Sequence, residues 1–148
     1  MIISPEQLAT IHLDKGQHTT RAEGMCVMEF AAWLAGEPHS DHPACVSPVL
    51  RAYLIGLNDA WDDAQRQTLI PYVGRVIGTA GDGLDEVRAW LATDWLIRTY
   101  TPAWLAAAGL HEHADALRRT LPITDTATAM AARPTIDAAR AAAWAAAR

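Results

Sequence analysis

Large apolar side chains recur along most of the chain at the three- and four-residue spacing of an α-helix. Val87, Leu91 and Trp95 follow this spacing, and a similar stripe lies within residues 49–57. Residues spaced in this way lie on one face of a helix. No convincing alternation of apolar and polar residues, as in a half-buried strand, follows residue 20. The pattern therefore predicts an all-α fold, a compact bundle of about six or seven helices in a single domain.

Capping and breaking residues divide this pattern into segments. From Ala22 to Ala35, large apolar side chains surround nearly the whole helix circumference, which predicts a central, buried helix. Pro71 and Gly74 predict a kink or a break in the region that they flank. Further helices are predicted to begin at Ser47–Pro48 and Asp62–Asp63, to run from about Leu84 to Tyr100, and to span Ala114 to Leu121. A short helix is predicted to restart at Thr101–Pro102 and to end at Gly109.

The N-terminal residues have the least regular pattern. Ser4, Pro5 and Glu6 form a cap and first turn that predict a short helix near residues 5–10. Residues 10–13 fit either irregular chain or a brief extended segment. The first six residues have neither the basic nor the apolar run of a secretory signal, so a cytoplasmic location is expected.

The residues beyond Pro134 are rich in alanine and have the highest helix propensity of the chain, but few large side chains to bury. We therefore predict a helical core domain over residues 1–134 and an alanine-rich C-terminal helix over residues 135–148, docked on the core or on a partner. Arg140, Trp144 and Arg148 share one face of this helix and could bind an acidic surface or a phosphate backbone. The alanine-rich remainder allows close approach of another helix, which favours docking or self-association over binding of nucleic acid.

Composition limits the classes of partner. The 148 residues are 51% apolar, and no run approaches the roughly 18 to 20 apolar residues that a membrane-spanning helix needs. The formal net charge is −5, and the first 65 residues hold nine acids against three bases. This acidic half argues against broad nucleic-acid binding, so a protein partner or a second copy is expected.

Two cysteines and two histidines form a candidate metal site. Cysteine and histidine are the ligands that zinc prefers, and His39, His42 and Cys45 lie in one loop that Cys26 would complete as a fourth ligand. The spacing is not that of a known zinc finger. The alternative, which we favour, is that both cysteines are buried, inert side chains and the histidines belong to a loop.

A thiol nucleophile is a second possible site. Cys26 lies near the start of the predicted helix, whose dipole would lower the pKa of the thiol. No spacing selects its base, although Glu29 and His42 join Cys26 as candidate catalytic residues. The histidines that could serve as its partner are His12, His18, His39 and His42.

Two acids lie among large apolar residues. A carboxylate at Glu29 must find a partner or shift its pKa upward, and Glu29 or Asp41 would support the metal or thiol site. Asp94 and Arg98 are four residues apart, which predicts a structural ion pair on one helix.

Sequence motifs of familiar helical hydrolases are missing. The chain has no His-Asp dipeptide, no Glu-x-x-Glu pair, no His-Glu-x-x-His segment and no glycine-rich phosphate loop. Residues 78–83 lack the lysine of such a loop and fit a linker. Because no complete catalytic set can be assembled, enzymatic activity is not expected.

Two segments resemble a group of small bacterial and bacteriophage proteins that have no established activity. They are EGMCVMEFAAWLAGEPHSDHPAC, over residues 23–45, and DWLIRTYTPAWL, over residues 94–105. The resemblance therefore implies no mechanism. Taken with the residues, it leaves two hypotheses: a non-enzymatic helical interaction or accessory protein, which we favour, and a zinc- or thiol-dependent protein built around Cys26.

Overall fold

The computed structural model describes residues 10–148, and every regular element in that part of the chain is a helix. This confirms the predicted all-α class. The helix predicted near residues 5–10 lies mostly outside the described residues. The chain divides into two compact units, Met1–Asp85 and Glu86–Arg148, called unit 1 and unit 2 below. This division differs from the predicted boundary at residue 134.

Unit 1 is built around one buried helix. The first helix packs against the second and the fourth, and its residues Val27, Met28 and Phe30 are fully buried. Helix propensity plays a small part here, since burial of this apolar segment in the core is what stabilises it. From residue 10 onward, the helices of unit 1 are α1 (Val27–Ala35), α2 (Pro48–Ala60), α3 (Asp63–Gln67) and α4 (Ile70–Val76).

The start of α1 differs from the prediction. The helix was expected from Ala22, but it begins at Val27 after an extended residue, Cys26. Cys26 Sγ accepts a hydrogen bond from the backbone N–H of Glu29, and the Glu29 carboxylate accepts one from the N–H of Cys26. This reciprocal pair is a capping box, which satisfies two N–H groups that a helix start leaves free.

The later helices of unit 1 begin at the capping and breaking residues that the sequence predicted. Asp62 caps α3 through a hydrogen bond from the N–H of Gln65, and Pro48 occupies the first turn of α2. The chain breaks between α3 and α4 just before Pro71, which lies in the first turn of α4, while Gly74 lies inside that helix. Residues 11–13 are irregular, and the side-chain amide of Gln67 bonds both to the N–H and to the carbonyl of Leu13.

Unit 2 begins with a long helical segment that extends beyond the predicted end at Tyr100. A single π turn joins its two α-helical parts, because the N–H of Thr101 bonds to the carbonyl of Leu96, five residues earlier. The elements are α5 (Asp85–Trp95), the π turn (Leu96–Tyr100), α6 (Thr101–Ala107), α7 (His111–Arg118) and α8 (Thr126–Ala146).

The last helix continues without a break past Pro134, where a new helix was predicted to begin. Asp125 caps α8 with a hydrogen bond from the N–H of Thr128. Proline removes one hydrogen bond to the carbonyl four residues earlier, here that of Met130. Both Pro134 and Met130 are exposed, so the cost of that missing bond is reduced by solvent.

The core of unit 2 is small. Only four buried side chains form its central cluster within the described chain, and two of them are alanines: Leu105, Ala114, Leu117 and Ala139. Ile97, Leu110 and Ile136 pack around this cluster. A unit of about 60 residues with so few large core side chains is expected to be only marginally stable on its own.

No helix within residues 10–148 combines the length and the apolar character required to cross a lipid bilayer.

Candidate functional site

A buried carboxylate organises the start of α1. The Glu29 side chain is fully buried, and its Oε2 accepts hydrogen bonds from the N–H of Cys26 at 2.7 Å and from Nδ1 of His18 at 2.9 Å. Its Oε1 accepts the N–H of His18 at 2.7 Å. The carboxylate therefore fixes the loop that carries His18 against the N-terminus of the central helix.

The same contacts decide the ionisation of Glu29. Burial raises the pKa of the Glu29 carboxyl. The hydrogen bonds from the N–H groups of Cys26 and His18 and from the His18 ring lower it by more than burial raises it, so the pKa lies below its ordinary value. His39 adds a nearby ring nitrogen, since its Nε2 lies 3.6 Å from Oε1 and 3.1 Å from the carbonyl oxygen of His18. Glu29 is therefore an ionised acceptor in the folded protein.

Cys26 has the opposite electrostatic environment. Burial and the neighbouring Glu29 charge raise the pKa of its thiol to about 12, although the backbone N–H of Glu29 opposes them. The expectation that the helix dipole lowers the pKa of this thiol is therefore wrong. At neutral pH the thiol stays protonated and serves as the cap of α1, which is a poor state for a nucleophile.

The predicted zinc ligands are distributed over separate hydrogen-bonding groups. Nδ1 of His42 lies 2.7 Å from Oδ1 of Asp41, and the N–H of Cys45 donates to Glu37 at 2.9 Å. Cys26 and His39 instead flank Glu29. Within residues 10–148, no three His, Cys, Asp or Glu side chains are grouped so that they could hold a metal ion. The zinc site therefore stays a prediction without support from this geometry.

Asn58 is a structural polar residue that the sequence did not identify. It is almost fully buried; its Oδ1 accepts the N–H of Val27 at 3.1 Å and its Nδ2 donates to the carbonyl of Asp14 at 3.0 Å. Its own carbonyl accepts a hydrogen bond from Nε of Arg66 at 2.7 Å. These partners lie far apart in the sequence, so no local pattern indicated the role.

Gly24 packs directly against the His18 ring. With φ of +149°, it adopts a backbone conformation that L side chains rarely adopt, and a Cβ there would lie 2.7 Å from two atoms of that ring. We expect Gly24→Ala to lower the free energy of unfolding by about 1–3 kcal/mol. Gly56→Ala is the matched control: it lies inside α2 with open space, so it should stabilise by about 0.5–1 kcal/mol. Urea unfolding of both variants measures the change in the free energy of unfolding. An equal change at the two glycines would show that a side chain at position 24 causes no strain.

Asp94 and Arg98 form the ion pair expected from their spacing. Nη1 of Arg98 lies 3.2 Å from Oδ1 of Asp94, and the same oxygen accepts the N–H of Ile123 at 2.8 Å. The pair therefore connects α5 to the segment before α8. Its role is to position elements of unit 2.

The outer face of α5, the π turn and α6 carries a row of exposed apolar side chains. Its members, called the apolar stripe below, are each between 45 and 65% exposed: Val87, Leu91, Trp95, Tyr100 and Trp104. Spacings of four residues keep side chains on one face of an α-helix, and the extra residue of the π turn absorbs the five-residue step. The Trp95 and Tyr100 rings lie 5.4 Å apart, so the row is continuous across this turn.

The two ends of the apolar stripe differ in charge. At its start, Glu86 and Val87 line one shallow cavity. At its end, Trp104 lines a second cavity together with Arg140 and with Trp144, which is 67% exposed. A carboxylate, Glu86, thus lies beside the first member of the stripe, and a guanidinium, that of Arg140, lies beside the last.

Unit 1 contains the largest of these cavities, about 460 Å³ in volume, lined by residues of α2 and α4 and of the segments that follow α2 and α3. Tyr53 and Tyr72 are half-exposed side chains in its wall. No carboxylate, histidine or cysteine lines it. The cavity therefore offers mainly apolar contact, and its two tyrosine hydroxyls are the ionisable groups in its wall.

The fold and these two sites define an all-α protein with a structural polar cluster in unit 1 and an exposed apolar stripe in unit 2. Comparison of the chain with protein-family models, curated proteins and solved structures found no match.

Proposed function

We propose that this protein is a non-enzymatic, cytoplasmic interaction protein that binds another polypeptide through the apolar stripe. The observation that carries the proposal is the exposure of Val87, Leu91, Trp95, Tyr100 and Trp104 in one row. Single exposed apolar residues are common in soluble proteins, but contiguous apolar patches of this kind mark interaction sites. The small core of unit 2 adds support, because a partner on the stripe would supply the burial that the unit lacks.

The alternative, a zinc- or thiol-dependent site around Cys26, has less support. The raised pKa of the Cys26 thiol disfavours a nucleophilic thiolate. The carboxylate of Glu29 is occupied by N–H donors that hold the loop and the helix together. The contacts among Cys26, Glu29 and His18 are thus explained by a structural role, the stabilisation of unit 1.

A photo-crosslinking experiment tests the proposal. Benzoylphenylalanine is placed at Leu91, on the stripe, and in a matched control at Ala89, which is exposed on the opposite side of α5. After irradiation of the cells that naturally produce the protein, we expect a covalent adduct with one defined polypeptide at position 91 and none at position 89. Absence of any adduct at position 91, or equal adducts at both positions, would reject the proposal.

A further inference from the structure

We infer that the polypeptide bound by the apolar stripe is a second copy of this chain, paired antiparallel about a twofold axis near Trp95. This inference rests on the proposed function and identifies its partner. The order of side-chain sizes along the stripe, the charges at its two ends and its area support this pairing.

The order of side-chain sizes fits an antiparallel pair. The stripe reads Val87, Leu91, Trp95, Tyr100, Trp104, so its small members lie at one end and its large ones at the other. In an antiparallel pair centred on Trp95, Val87 faces Trp104 of the second copy and Leu91 faces Tyr100, while the two Trp95 rings meet at the axis. On either side of the axis, small side chains then oppose large ones, which lets the two rows interdigitate. A parallel pair would place small on small and large on large.

The charges at the two ends favour the same direction. Glu86 is exposed beside Val87, and Arg140 lies beside Trp104 with its side chain 69% exposed, although Asp137 contacts it at 3.1 Å. An antiparallel pair brings each Glu86 to the Arg140 of the second copy. A parallel pair would place like charges together. In a dimer with twofold symmetry, the contact between Glu86 and Arg140 occurs twice.

The area of the stripe is appropriate to a dimer. An aromatic side chain buries on the order of 150–250 Å² when fully covered and an aliphatic one less, and the members of the stripe and Trp144 are roughly half exposed. At roughly 100 Å² each, these six side chains supply roughly 600 Å². A stable interface buries about 800 Å² on each partner, so the flanking alanines and Leu96 need to add only the remainder.

A charge-exchange experiment on the purified full chain tests this inference. The mass in solution is measured by sedimentation equilibrium over a range of concentrations at low salt, and we expect a monomer–dimer equilibrium. Glu86→Arg and Arg140→Glu should each weaken dimerisation about three- to tenfold, while an equimolar mixture of the two variants, or the double variant, should regain the original affinity. Glu112→Arg, an exposed change of the same charge on α7, is the matched control and should leave dimerisation unchanged.

A substitution at the centre of the stripe provides a second test that does not depend on charge. Trp95→Ala should weaken dimerisation by about thirtyfold or more, because both copies lose a central tryptophan, with the helical circular dichroism unchanged. A chain that stays monomeric at all concentrations, or single variants that are not rescued by mixing, would overturn the inference. If the chain is monomeric and Leu91 still crosslinks to a different polypeptide, the proposed function stands and only the second copy is rejected. If Leu91 gives no adduct and the chain is monomeric, both fail.

Discussion

Replacing Glu29 by alanine is expected to lower the free energy of unfolding by about 3–5 kcal/mol. The carboxylate accepts the N–H groups of Cys26 and His18 and the ring of His18, and Glu29 itself is fully buried. Removing it leaves the buried N–H of Cys26 and the partly buried N–H and ring of His18 without this acceptor. Each buried donor left without a partner costs about 1–3 kcal/mol, and loss of one member of a buried charged group is at the upper end of single-residue effects.

Urea unfolding, followed by circular dichroism, measures this change. The rate of Cys26 alkylation, located by peptide mass spectrometry, is a local reporter because this side chain is buried and caps α1. Glu23→Ala is the control: its carboxylate accepts the N–H of Thr19 in an exposed position, so the cost should be below about 1 kcal/mol. If the two alanine variants unfold at the same urea concentration, the buried cluster does not have the stabilising role assigned to it.

The Glu29 contribution should also depend on pH. Its carboxyl pKa is lower in the folded protein than in the unfolded chain, so the unfolded state binds more protons between the two values. The stabilisation is therefore complete above the ordinary glutamate pKa and is lost as the pH falls through the lowered value. In Glu29→Gln, which does not titrate, the stability should fall less steeply over this acidic range than in the original protein.

Replacing Phe30 by alanine is expected to cost about 3–5 kcal/mol. Phe30 is the largest of the fully buried side chains, and its ring lies 5.8 Å from that of Trp33. Truncation removes its transfer free energy from water and leaves a cavity that the packed helix cannot fill by relaxation. The loss should appear as a lower midpoint in urea unfolding.

The control for Phe30 compares a half-exposed aromatic residue in the same unit. Tyr53 is 48% exposed on α2, so Tyr53→Ala removes less buried area and should cost less than half as much. Phe30→Leu keeps most of the volume and should fall between the two. An equal loss in all three variants would mean that the packing of α1 does not dominate the stability of unit 1.

Glu29 and Phe30 show how much of the structure could be predicted from the sequence alone. Phe30 lies in the segment whose apolar residues predicted a central, buried helix, and the structure confirms that role. Glu29 was expected to need a partner, but the choice of His18 depends on a loop that folds back over α1, which no local pattern encodes. The helix start at Val27 had a signal, since Cys26 and Glu29 have the spacing of a capping box, with cysteine in place of the usual serine or threonine.

The apolar stripe was also only partly predictable. The helical spacing of Val87, Leu91 and Trp95 placed them on one face, but the same pattern is typical of a face that packs inside a bundle. Exposure depends on what else in the chain covers the face, which is a property of the whole fold. The five-residue step from Trp95 to Tyr100 was the available sign of the π turn, because an unbroken α-helix would have rotated Tyr100 away from the row.

The π turn also affects which changes in chain length this helix can tolerate. A π turn accommodates one residue more than an α-helical turn, so deleting a residue between Leu96 and Tyr100 would convert it into ordinary α-helix without rotating α6 relative to α5. A deletion elsewhere between Val87 and Trp104 would turn Trp104 by about 100° away from Val87. Evolution can therefore shorten this segment at the π turn without losing the alignment of its two halves, and gaps in natural variants should concentrate there.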